Sequence, residues 1–352
     1  TLHSFLGLGI MAGGIEKTVQ KALVDRRVRL RIRKAKGLII DEISMISGAT
    51  LDAAETVCRL AREVEEPWGG LKIIAVGDFA QLPPVENFRS GSPDWAFRSH
   101  SWKFSAFQTA LLKQNLRSQN GDFLDILNMV RRGEVNEALE SFLNDRIRQI
   151  PISFTGTRLF PRRVQADKLN DERLEGLKEE LRVFPSIFQG ERHHYESLLK
   201  FSPLPMELRL KKGALVMLRQ NDPRGRWVNG STGVLEKIGD DHLVIELLKG
   251  ARVEIEKSSF SLLDAEGSVR ASITNFPVSL AWAATIHKSQ GMTLDRMAVD
   301  LRRLWEPGQA YVALSRITNP ENLWISGWEA SSIRADHEVA QYYRAIESEF
   351  LN

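Results

Sequence analysis

The chain of 352 residues is too long for one ordinary compact domain, and about two to three domains are the reasonable expectation. Apolar residues make up 43% and charged residues 26%, as in ordinary soluble globular proteins. No apolar run reaches the roughly 18–20 residues that a membrane span requires, and a net charge of +3 does not by itself indicate a partner.

The N-terminus and the single cysteine bear on the compartment. Thr1–Phe5 has neither the basic start nor the cleavage pattern of a signal peptide and lacks an initiator Met, so we expect an internal start. Cys58 is the only cysteine, which excludes an intrachain disulfide and favours a reducing interior. We expect the cytoplasm or nucleoid of a bacterium, or the nucleus or mitochondrion of a eukaryote.

A basic stretch runs from Glu16 to Lys36. Its nine basic and two acidic residues give it a net charge of +7. A solvated helix face and a surface that binds phosphates are equally good interpretations of such a run.

The first part of the chain alternates between strand and helix patterns. The apolar runs Leu38–Ile40 and Leu71–Val76 are typical of buried parallel strands, and Gly48–Glu66 between them has apolar residues at helical spacing. The alternation predicts a doubly wound α/β domain up to about residue 115.

The later elements change character twice. Helices are predicted over 123–132, 135–142 and 164–183. Short β segments with turns at Asn229-Gly230, Gly239–Asp241 and Lys249-Gly250 predict a small antiparallel barrel. After Phe276 the α/β character returns, with strands at 297–300 and 323–325.

Polar residues follow both early strands. Asp41-Glu42 comes directly after the first strand, as in a Walker B arrangement, where Asp41 would hold Mg²⁺ and Glu42 would activate water. A strand-end turn with two acidic residues is the alternative. Because Gly77–Val85 follows the second strand, its Gln81 is expected at the same sheet edge, in position to sense a γ-phosphate.

Several segments of the chain can be compared with known motifs. They are TLHSFLGLG (1–9), IIDEISM (39–45), LDAAETVCRLAREVEEPWGG (51–70), GDFAQLPPV (77–85), LLKQNLRS (111–118), KKGALVMLRQNDPRGRWVNGSTGVL (211–235), FPVSLAWAATIHKSQGMTLD (276–295) and GQAYVALSRITNPENLWI (308–325). In order and spacing these segments resemble the motifs of superfamily-1B DNA helicases of the Pif (petite integration frequency) type. The resemblance covers essentially the whole chain.

The resemblance implies an α/β fold with two RecA-like P-loop NTPase motor domains and a small SH3-like β-barrel inserted in the second. The implied boundaries are 1–115 for the first motor domain, 116–213 with 276–352 for the second, and 214–275 for the barrel. RecD-like and relaxase-linked helicases remain an alternative, which the 51–70 segment disfavours.

The resemblance also implies roles for individual residues. ATP and Mg²⁺ would be held with Asp41 as the metal ligand and Glu42 as the base, with Gln81 beside the γ-phosphate. Arg117 and Arg316 would reach that phosphate from the second motor domain, and Gly291 would allow close backbone approach to the nucleotide. Single-stranded DNA would lie on six residues of the two domains, namely His3, Ser4, Phe5, His287, Ser289 and Thr293.

The implied activity is ATP-dependent, 5′-to-3′ DNA unwinding with little sequence preference, acting on single-stranded and forked DNA. We expect a monomer in solution with no membrane association. The family's roles include DNA repair, recombination and telomere maintenance.

The family's phosphate-binding loop is the one motif without a counterpart. It precedes the TLHSF segment in the family and ends in Gly-Lys-Ser/Thr, a sequence that occurs nowhere in these 352 residues. We expect a fragment of a complete helicase, since every downstream motif keeps the residues its chemistry needs. A non-hydrolysing nucleic-acid-binding remnant of the fold is the alternative.

Overall fold

The computed structural model describes residues 1–9, 11, 13–84, 93–112, 114–118, 120–190, 192–202, 204–263 and 269–351. Val85 and Lys113, which belong to two of the motifs above, lie outside the described residues. The chain forms two compact units. Unit 1 contains Thr1–Lys113 and Asp336–Asn352, and unit 2 contains Gln114–Leu263 and Val269–Ala335. Within the described ranges, no helix is long and apolar enough to cross a membrane.

The helices and strands follow in chain order. The α-helices are α1 (Leu2–Leu6), α2 (Gly14–Val24), α3 (Arg26–Lys34), α4 (Gly48–Arg62), α5 (His100–Ser105), α6 (Gly121–Arg132), α7 (Glu137–Asn144), α8 (Arg163–Glu175), α9 (Tyr195–Phe201), α10 (Gln309–Leu314) and α11 (His337–Leu351). The strands are β1 (Gly37–Ile40), β2 (Lys72–Ala75), β3 (Thr157–Phe160), β4 (Arg182–Pro185), β5 (Ile187–Gly190), β6 (Glu207–Leu210), β7 (Leu215–Leu218), β8 (Thr232–Ile238), β9 (His242–Leu247), β10 (Arg252–Glu256), β11 (Ser258–Leu263), β12 (Val269–Asn275), β13 (Val278–Leu280), β14 (Ala283–Thr285), β15 (Met297–Leu301) and β16 (Leu323–Trp328).

Helix α4 is the central helix of unit 1. The Ser47 hydroxyl caps its N-terminus by accepting from the Thr50 amide at 3.2 Å. The predicted apolar positions, Cys58 among them, are buried, and burial raises the pKa of the Cys58 thiol to about 12. The helix ends at Arg62, before the predicted Glu66, because Glu63 adopts a left-handed conformation with φ 59°.

Strands β1 and β2 pair in parallel, with Ile40 opposite Ala75. The prediction of two parallel strands around a helix is therefore confirmed. The prediction that both strands are buried is wrong, because Ile39 is 70% exposed and Ile74 is 48% exposed.

Unit 2 contains a four-stranded parallel sheet in the order β14-β3-β15-β16. Helix α8 follows β3 but ends at Glu175, so the prediction of one helix over 164–183 is wrong. The Lys211 ammonium donates to the carbonyls of Glu175 and Leu177, which satisfies acceptors at the helix end. Arg182–Pro185 instead forms β4, antiparallel to β6.

The antiparallel part of unit 2 extends beyond the predicted segments. A five-stranded sheet has the order β10-β9-β8-β7-β13, and a three-stranded sheet has the order β11-β12-β5. All four residues of β7 are buried, and on one face Val216 and Leu218 belong to the core cluster that includes Leu235, Ile245 and Phe276. The expected barrel boundary of 214–275 therefore cuts through these sheets, since β5 and β13 lie outside it.

The C-terminal segment is also placed differently from the sequence expectation. Residues 336–352 were expected in the second motor domain, but they group with unit 1. Asp336 caps α11 by accepting from the amides of Glu338 and Val339, and Glu338 contacts Arg98 through both carboxylate oxygens.

Candidate functional site

The two strand ends of unit 1 are joined by backbone hydrogen bonds. The Val76 amide donates to the Ile40 carbonyl at 2.8 Å, and the Ile43 amide donates to the Val76 carbonyl at 2.9 Å. A β-carbon at Gly77 would lie 2.9 Å from the Ile43 nitrogen, so only glycine permits this approach. The acidic pair that follows β1 is thus at the same edge as the loop that follows β2.

The acidic pair has an unusual backbone. Glu42 adopts a left-handed conformation with φ 51° and ψ 49°, which costs a non-glycine residue about 1–2 kcal/mol. Its amide donates to Asp41 Oδ1 at 2.9 Å. Asp41 is exposed and Glu42 is half-buried. Strain of this kind is concentrated where a side chain must point in one direction for function.

The loop after β2 is held by a tyrosine from the C-terminal helix. Tyr343 Oη donates to Asp78 Oδ1 at 2.8 Å and accepts from the Phe79 amide at 2.9 Å. The Asp78 side chain also accepts from the Ala80 amide, and the Asp78 backbone carbonyl accepts from the Gln81 amide. Tyr343 lies 265 residues from Asp78 and belongs to no recognised motif, so its role here was not predicted from the sequence.

Aromatic packing supports the same loop. The Phe79 ring meets Trp95, Phe97, Trp102 and Tyr342 edge to face, with centroids 5.0–6.1 Å apart. Such pairs contribute beyond their buried area, so the backbone before Gln81 is firmly placed.

Two polar atoms at this edge are buried without a partner among the described residues. They are Gln81 Oε1 and Ser44 Oγ. An unsatisfied buried polar group costs about 1–3 kcal/mol, so a ligand that brings a donor to Gln81 would be stabilised. The edge therefore fits a polar ligand beside two carboxylates.

No group of three or more His, Cys, Asp or Glu side chains that could hold a metal occurs within the described ranges. Mg²⁺ at nucleotide sites is held by one or two carboxylates together with phosphates and water. Asp41 as a single protein carboxylate is compatible with that donor set.

The short helix α1 places His3, Ser4 and Phe5 on unit 1. The Thr1 hydroxyl caps the helix by accepting from the Ser4 amide at 3.2 Å. Arg31 Nη2 donates to the Ser4 carbonyl at 3.0 Å, and its guanidinium lies 5.1 Å from the centre of the Phe5 ring. The basic stretch is thus directly connected to the predicted DNA residues.

Part of the basic stretch has a structural role. Arg33 donates to the Ala61 carbonyl at the end of α4, and Arg62 donates to the Ile32 and Ala35 carbonyls at the end of α3. Seven basic residues of the stretch are exposed, namely Arg33 itself and Lys17, Lys21, Arg26, Arg27, Lys34 and Lys36. Exposure fits a solvated face and a phosphate-binding surface equally well, so both interpretations of these residues stay predictions.

In unit 2 the structure brings both predicted arginines together. Arg117 donates through Nη1 to the Ser315 carbonyl at 2.9 Å and through Nε to Thr293 Oγ1 at 3.3 Å. Arg316 Nη2 donates to Ser315 Oγ at 2.7 Å. Thr293, expected on DNA, thus contacts an arginine expected on the nucleotide.

Arg316 is only 2% exposed. Its Nε donates to the Val312 carbonyl at 2.8 Å and its Nη1 donates to the Ser289 carbonyl at 3.4 Å. The guanidinium is thus buried and anchored on the backbone of its own helix and of the His287–Ser289 turn. The expected contact of Arg316 with a γ-phosphate stays a prediction.

Ser289 does not face a groove, and the prediction that its side chain contacts DNA is wrong. The residue is fully buried, and its hydroxyl donates to the Ile286 carbonyl at 2.7 Å. The tight turn over His287–Ser289 directs this side chain inward. Gly291, two residues on, is exposed with φ 70°, a conformation that favours glycine.

His287 is about one-third exposed and contacts a carboxylate. Its Nε2 lies 3.0 Å from Glu306 Oε2. The His287 contact is the main cause that lowers the pKa of Glu306. Gln309, which begins α10, donates to the same carboxylate at 3.1 Å. The His287 turn is therefore tied to the helix that leads to Arg316, a link that the sequence analysis missed.

The chain is similar in sequence to proteins of known name. Residues 1–141 match the family model described as PIF1-like helicase. The chain is 47% identical over 347 residues to the ATP-dependent DNA helicase Pif1 of Bdellovibrio bacteriovorus, covering 99% of this chain and 79% of the relative. It spans about half the length of several eukaryotic relatives named PIF1, for example 55% of that of Xenopus laevis.

Solved structures agree with the sequence match. Pif1 of Bacteroides sp in complex with ADP-AlF4 is similar with a TM-score of 0.86 and 26% identity, over 99% of this chain and 84% of that one. Pif1 helicase from Bacteroides in complex with ADP-AlF3 and single-stranded DNA gives a TM-score of 0.65 and 27% identity, with 99% and 84% coverage. The likeness extends over nearly the whole chain.

Proposed function

The chain belongs to the PIF1-like helicase family, and from that premise we propose that it is an ATP-dependent DNA helicase moving 5′-to-3′ on single-stranded DNA. It has the two-domain α/β helicase fold of the solved Pif1 proteins. One observation carries the proposal most directly: Asp41-Glu42 and the Asp78–Gln81 loop meet at one sheet edge. A similar protein has been solved with a nucleotide analogue and single-stranded DNA together, which supports both ligands.

In this proposal, unit 1 supplies the hydrolytic groups. Bound Mg²⁺ would neutralise the charge that develops on the transferred phosphoryl group. Asp41 holds that ion, and the strained Glu42 backbone aims its carboxylate at the attacking water. The unpartnered amide oxygen of Gln81 accepts from the same water and so orients it beside the γ-phosphate.

Unit 2 supplies the positive charge. Arg117 and Arg316 donate to the γ-phosphate oxygens, and Gly291 leaves space for close backbone approach. Because Ser315 joins the two guanidiniums and Thr293 contacts one of them, loss of the phosphate is transmitted to residues beside the DNA strand.

DNA lies on His3, Ser4 and Phe5 in unit 1 and on His287 and Thr293 in unit 2. Arg31 of the basic stretch contacts the first group, which favours backbone contact without sequence preference. We propose forked DNA as the substrate and a monomer as the working form. The two units correspond to two RecA-like motor domains, and the five-stranded antiparallel sheet corresponds to an SH3-like insertion in the second.

The test supplies the phosphate loop that the 352 residues do not contain. A strand, a glycine-rich loop ending in Gly-Lys-Thr and the helix that follows the loop are fused before Thr1. ATP turnover by the fusion is then measured with and without single-stranded DNA. The fusion should show DNA-stimulated turnover that falls about 10²–10⁴-fold in Glu42→Gln, because general-base catalysis is lost. The unfused chain should turn over little ATP, because it lacks the loop amides and the lysine that would hold the γ-phosphate of ATP.

Partial duplexes with a 5′ or a 3′ tail then give the direction, and only the 5′-tailed substrate should be unwound. DNA binding without turnover in the fusion would favour the non-hydrolysing remnant instead. Robust turnover by the unfused chain, abolished by Glu42→Gln, would mean that the phosphates bind elsewhere.

A further inference from the structure

Two neighbouring strands of the parallel sheet bring a set of cations to one edge of unit 2. Strands β3 and β14 pair in parallel, and the Ile286 amide donates to the Phe160 carbonyl at 2.9 Å just beyond them. Arg162 and Arg163 follow β3 directly, and Lys288 follows β14. Because carboxyl ends of parallel strands share an edge, these three basic residues are neighbours.

A fourth cation reaches the same place from the antiparallel sheet. Arg219 follows β7, and its Nη1 lies 3.8 Å from the sulfur atoms of Met217 and Met292. Thioethers are weak acceptors, and no carboxylate pairs with Arg219 or Lys288 in the ranges that the structure describes. Among the described residues, Arg219 and Lys288 therefore form no ion pair with a carboxylate.

The electrostatics of Lys288 agree with this placement. Its partial burial and the positive charges of Arg163 and Arg219 lower the pKa of the Lys288 ammonium, and Asp167 opposes that effect. Asp167 is already engaged with Arg163 at 3.0 Å. An added anion would relieve the remaining repulsion.

The first turn of α8 lies at the same edge. Its N-cap residue is Arg162, whose side chain does not cap the amides at the start of this 13-residue helix. Such amides, together with the helix dipole, favour an anion. A phosphate is the chemistry that suits a helix start surrounded by arginine and lysine.

An exposed aromatic ring lies beside these cations. Trp305 is 43% exposed, and the Arg162 guanidinium lies 5.3 Å from its ring centre. Its backbone amide donates to Gln309 Oε1 at 3.1 Å, and the adjacent Glu306 is held by His287. The ring is thus displayed on a fixed backbone, as a platform for a flat ligand.

We propose that these five residues, Arg162, Arg163, Arg219, Lys288 and Trp305, form a single-stranded DNA surface in which Trp305 stacks on a base and the cations hold adjoining phosphates. A helix start and cations alone would suit any phosphate, but an exposed indole beside them favours a nucleic-acid strand. This inference rests on the proposed function. It assigns the DNA strand on unit 2 to these five residues and not to Ser289, which is buried.

The experiment measures the affinity of the 352-residue chain for fluorescent oligo-dT by anisotropy at several salt concentrations. Trp305→Ala should weaken binding about tenfold to a hundredfold, and Trp305→Phe should restore most of the loss, because a stacked base is worth roughly 1–3 kcal/mol. Phe104→Ala is the matched control: Phe104 is 39% exposed in unit 1, stacks only on His100 among the described aromatic rings, and should leave affinity unchanged.

Lys288→Ala tests the second part of the proposal, the contact between the cations and the DNA phosphates. It should reduce the slope of log affinity against log salt by about 0.7, the value expected for one phosphate contact on a single strand. An abasic oligonucleotide separates base stacking from phosphate contact, because it has phosphates and no bases. On this strand Trp305→Ala should no longer weaken binding, and Lys288→Ala should still lower the salt dependence. Thermal melting of each variant excludes a folding defect as the cause.

Normal affinity in both Trp305→Ala and Lys288→Ala, with a wild-type chain that binds, would overturn this surface and leave the helicase proposal standing. An equal Trp305→Ala loss on the abasic strand would refute stacking. A wild-type chain that does not bind single-stranded DNA would overturn the surface and the DNA part of the proposed function together.

Discussion

Unit 1 and unit 2 position their candidate residues by different means. In unit 1, β1 pairs only with β2 among the described strands, and Ile39 on it is exposed to solvent. The site loop is instead held by helices and by the aromatic cluster around Phe79. In unit 2, the five-stranded sheet contributes to a large buried core, and both arginines are held by hydrogen bonds to Ser315. A strand end can therefore place a candidate site residue even where its sheet provides little stability.

The largest expected effect concerns the buried arginine of unit 2. In the phosphate-loop fusion, Arg316→Lys should lower ATP turnover about 10³–10⁵-fold, because a lysine cannot reproduce the forked donors that an arginine offers a γ-phosphate. Single-strand affinity without nucleotide should change little. The melting temperature should fall by only a few degrees, because the buried hydrogen bonds of Arg316 are weakened and not all lost. Comparable losses in turnover and affinity would show that Arg316 acts as a structural anchor of unit 2.

The second prediction compares the stability that each sheet provides. Ile245 is fully buried in β9, so Ile245→Ala should lower the free energy of unfolding by about 2–5 kcal/mol. Ile39→Ala in β1 should lower it by no more than about 0.5 kcal/mol, because an exposed side chain loses few contacts. Urea unfolding of both variants measures the difference. A large loss for Ile39→Ala would show that this face of β1 is covered in solution.

The third prediction concerns the tyrosine that holds the loop of unit 1. Tyr343→Phe removes one hydroxyl and keeps the ring, so the aromatic packing remains. We expect ATP turnover by the fusion to fall several-fold, since the hydrogen bonds lost are each worth about 0.5–1.5 kcal/mol and position Asp78 and Phe79. Tyr195→Phe is the matched control, because it also removes a hydroxyl that donates a hydrogen bond, to the Gly190 carbonyl of unit 2, and it should keep normal turnover. A normal rate in Tyr343→Phe would mean that the aromatic cluster alone positions the loop.

Local patterns in the sequence predicted much of the fold and part of the site. Strand β1, helix α4 and the acidic pair were predicted because their signals lie within a few residues of one another. The C-terminus of α8 was missed because the lysine that satisfies it, Lys211, comes 36 residues later in the chain. Tyr343 was missed for the same reason at a greater distance.

Orientation was the other limit. The motif around His287 predicted which segment matters but not which side chains of a tight turn face outward. Ser289 points inward because its hydroxyl satisfies the Ile286 carbonyl, a geometry that residue spacing does not encode. The exposure of Ile39 was likewise not predictable, because an apolar run shows that a strand can be buried and not that something covers it.

The smallest expected effects distinguish Ser289 from His287, which lie in the same turn. Ser289→Ala should lower the melting temperature of the chain by a few degrees, since one buried hydrogen bond worth about 1 kcal/mol is lost. Its single-strand affinity should stay within about twofold of the wild type, because a fully buried hydroxyl cannot contact DNA. His287→Ala should do the reverse: its ring is partly exposed beside the proposed strand, and its loss should weaken binding a few-fold while the fold remains. Anisotropy and melting curves on both variants provide the comparison, with Thr293→Ser, which keeps the hydroxyl that accepts from Arg117, as the conservative control. A lowered melting temperature with unchanged affinity in His287→Ala would place His287 with Ser289 as a structural residue, because its contact with Glu306 would then matter only to the stability of unit 2.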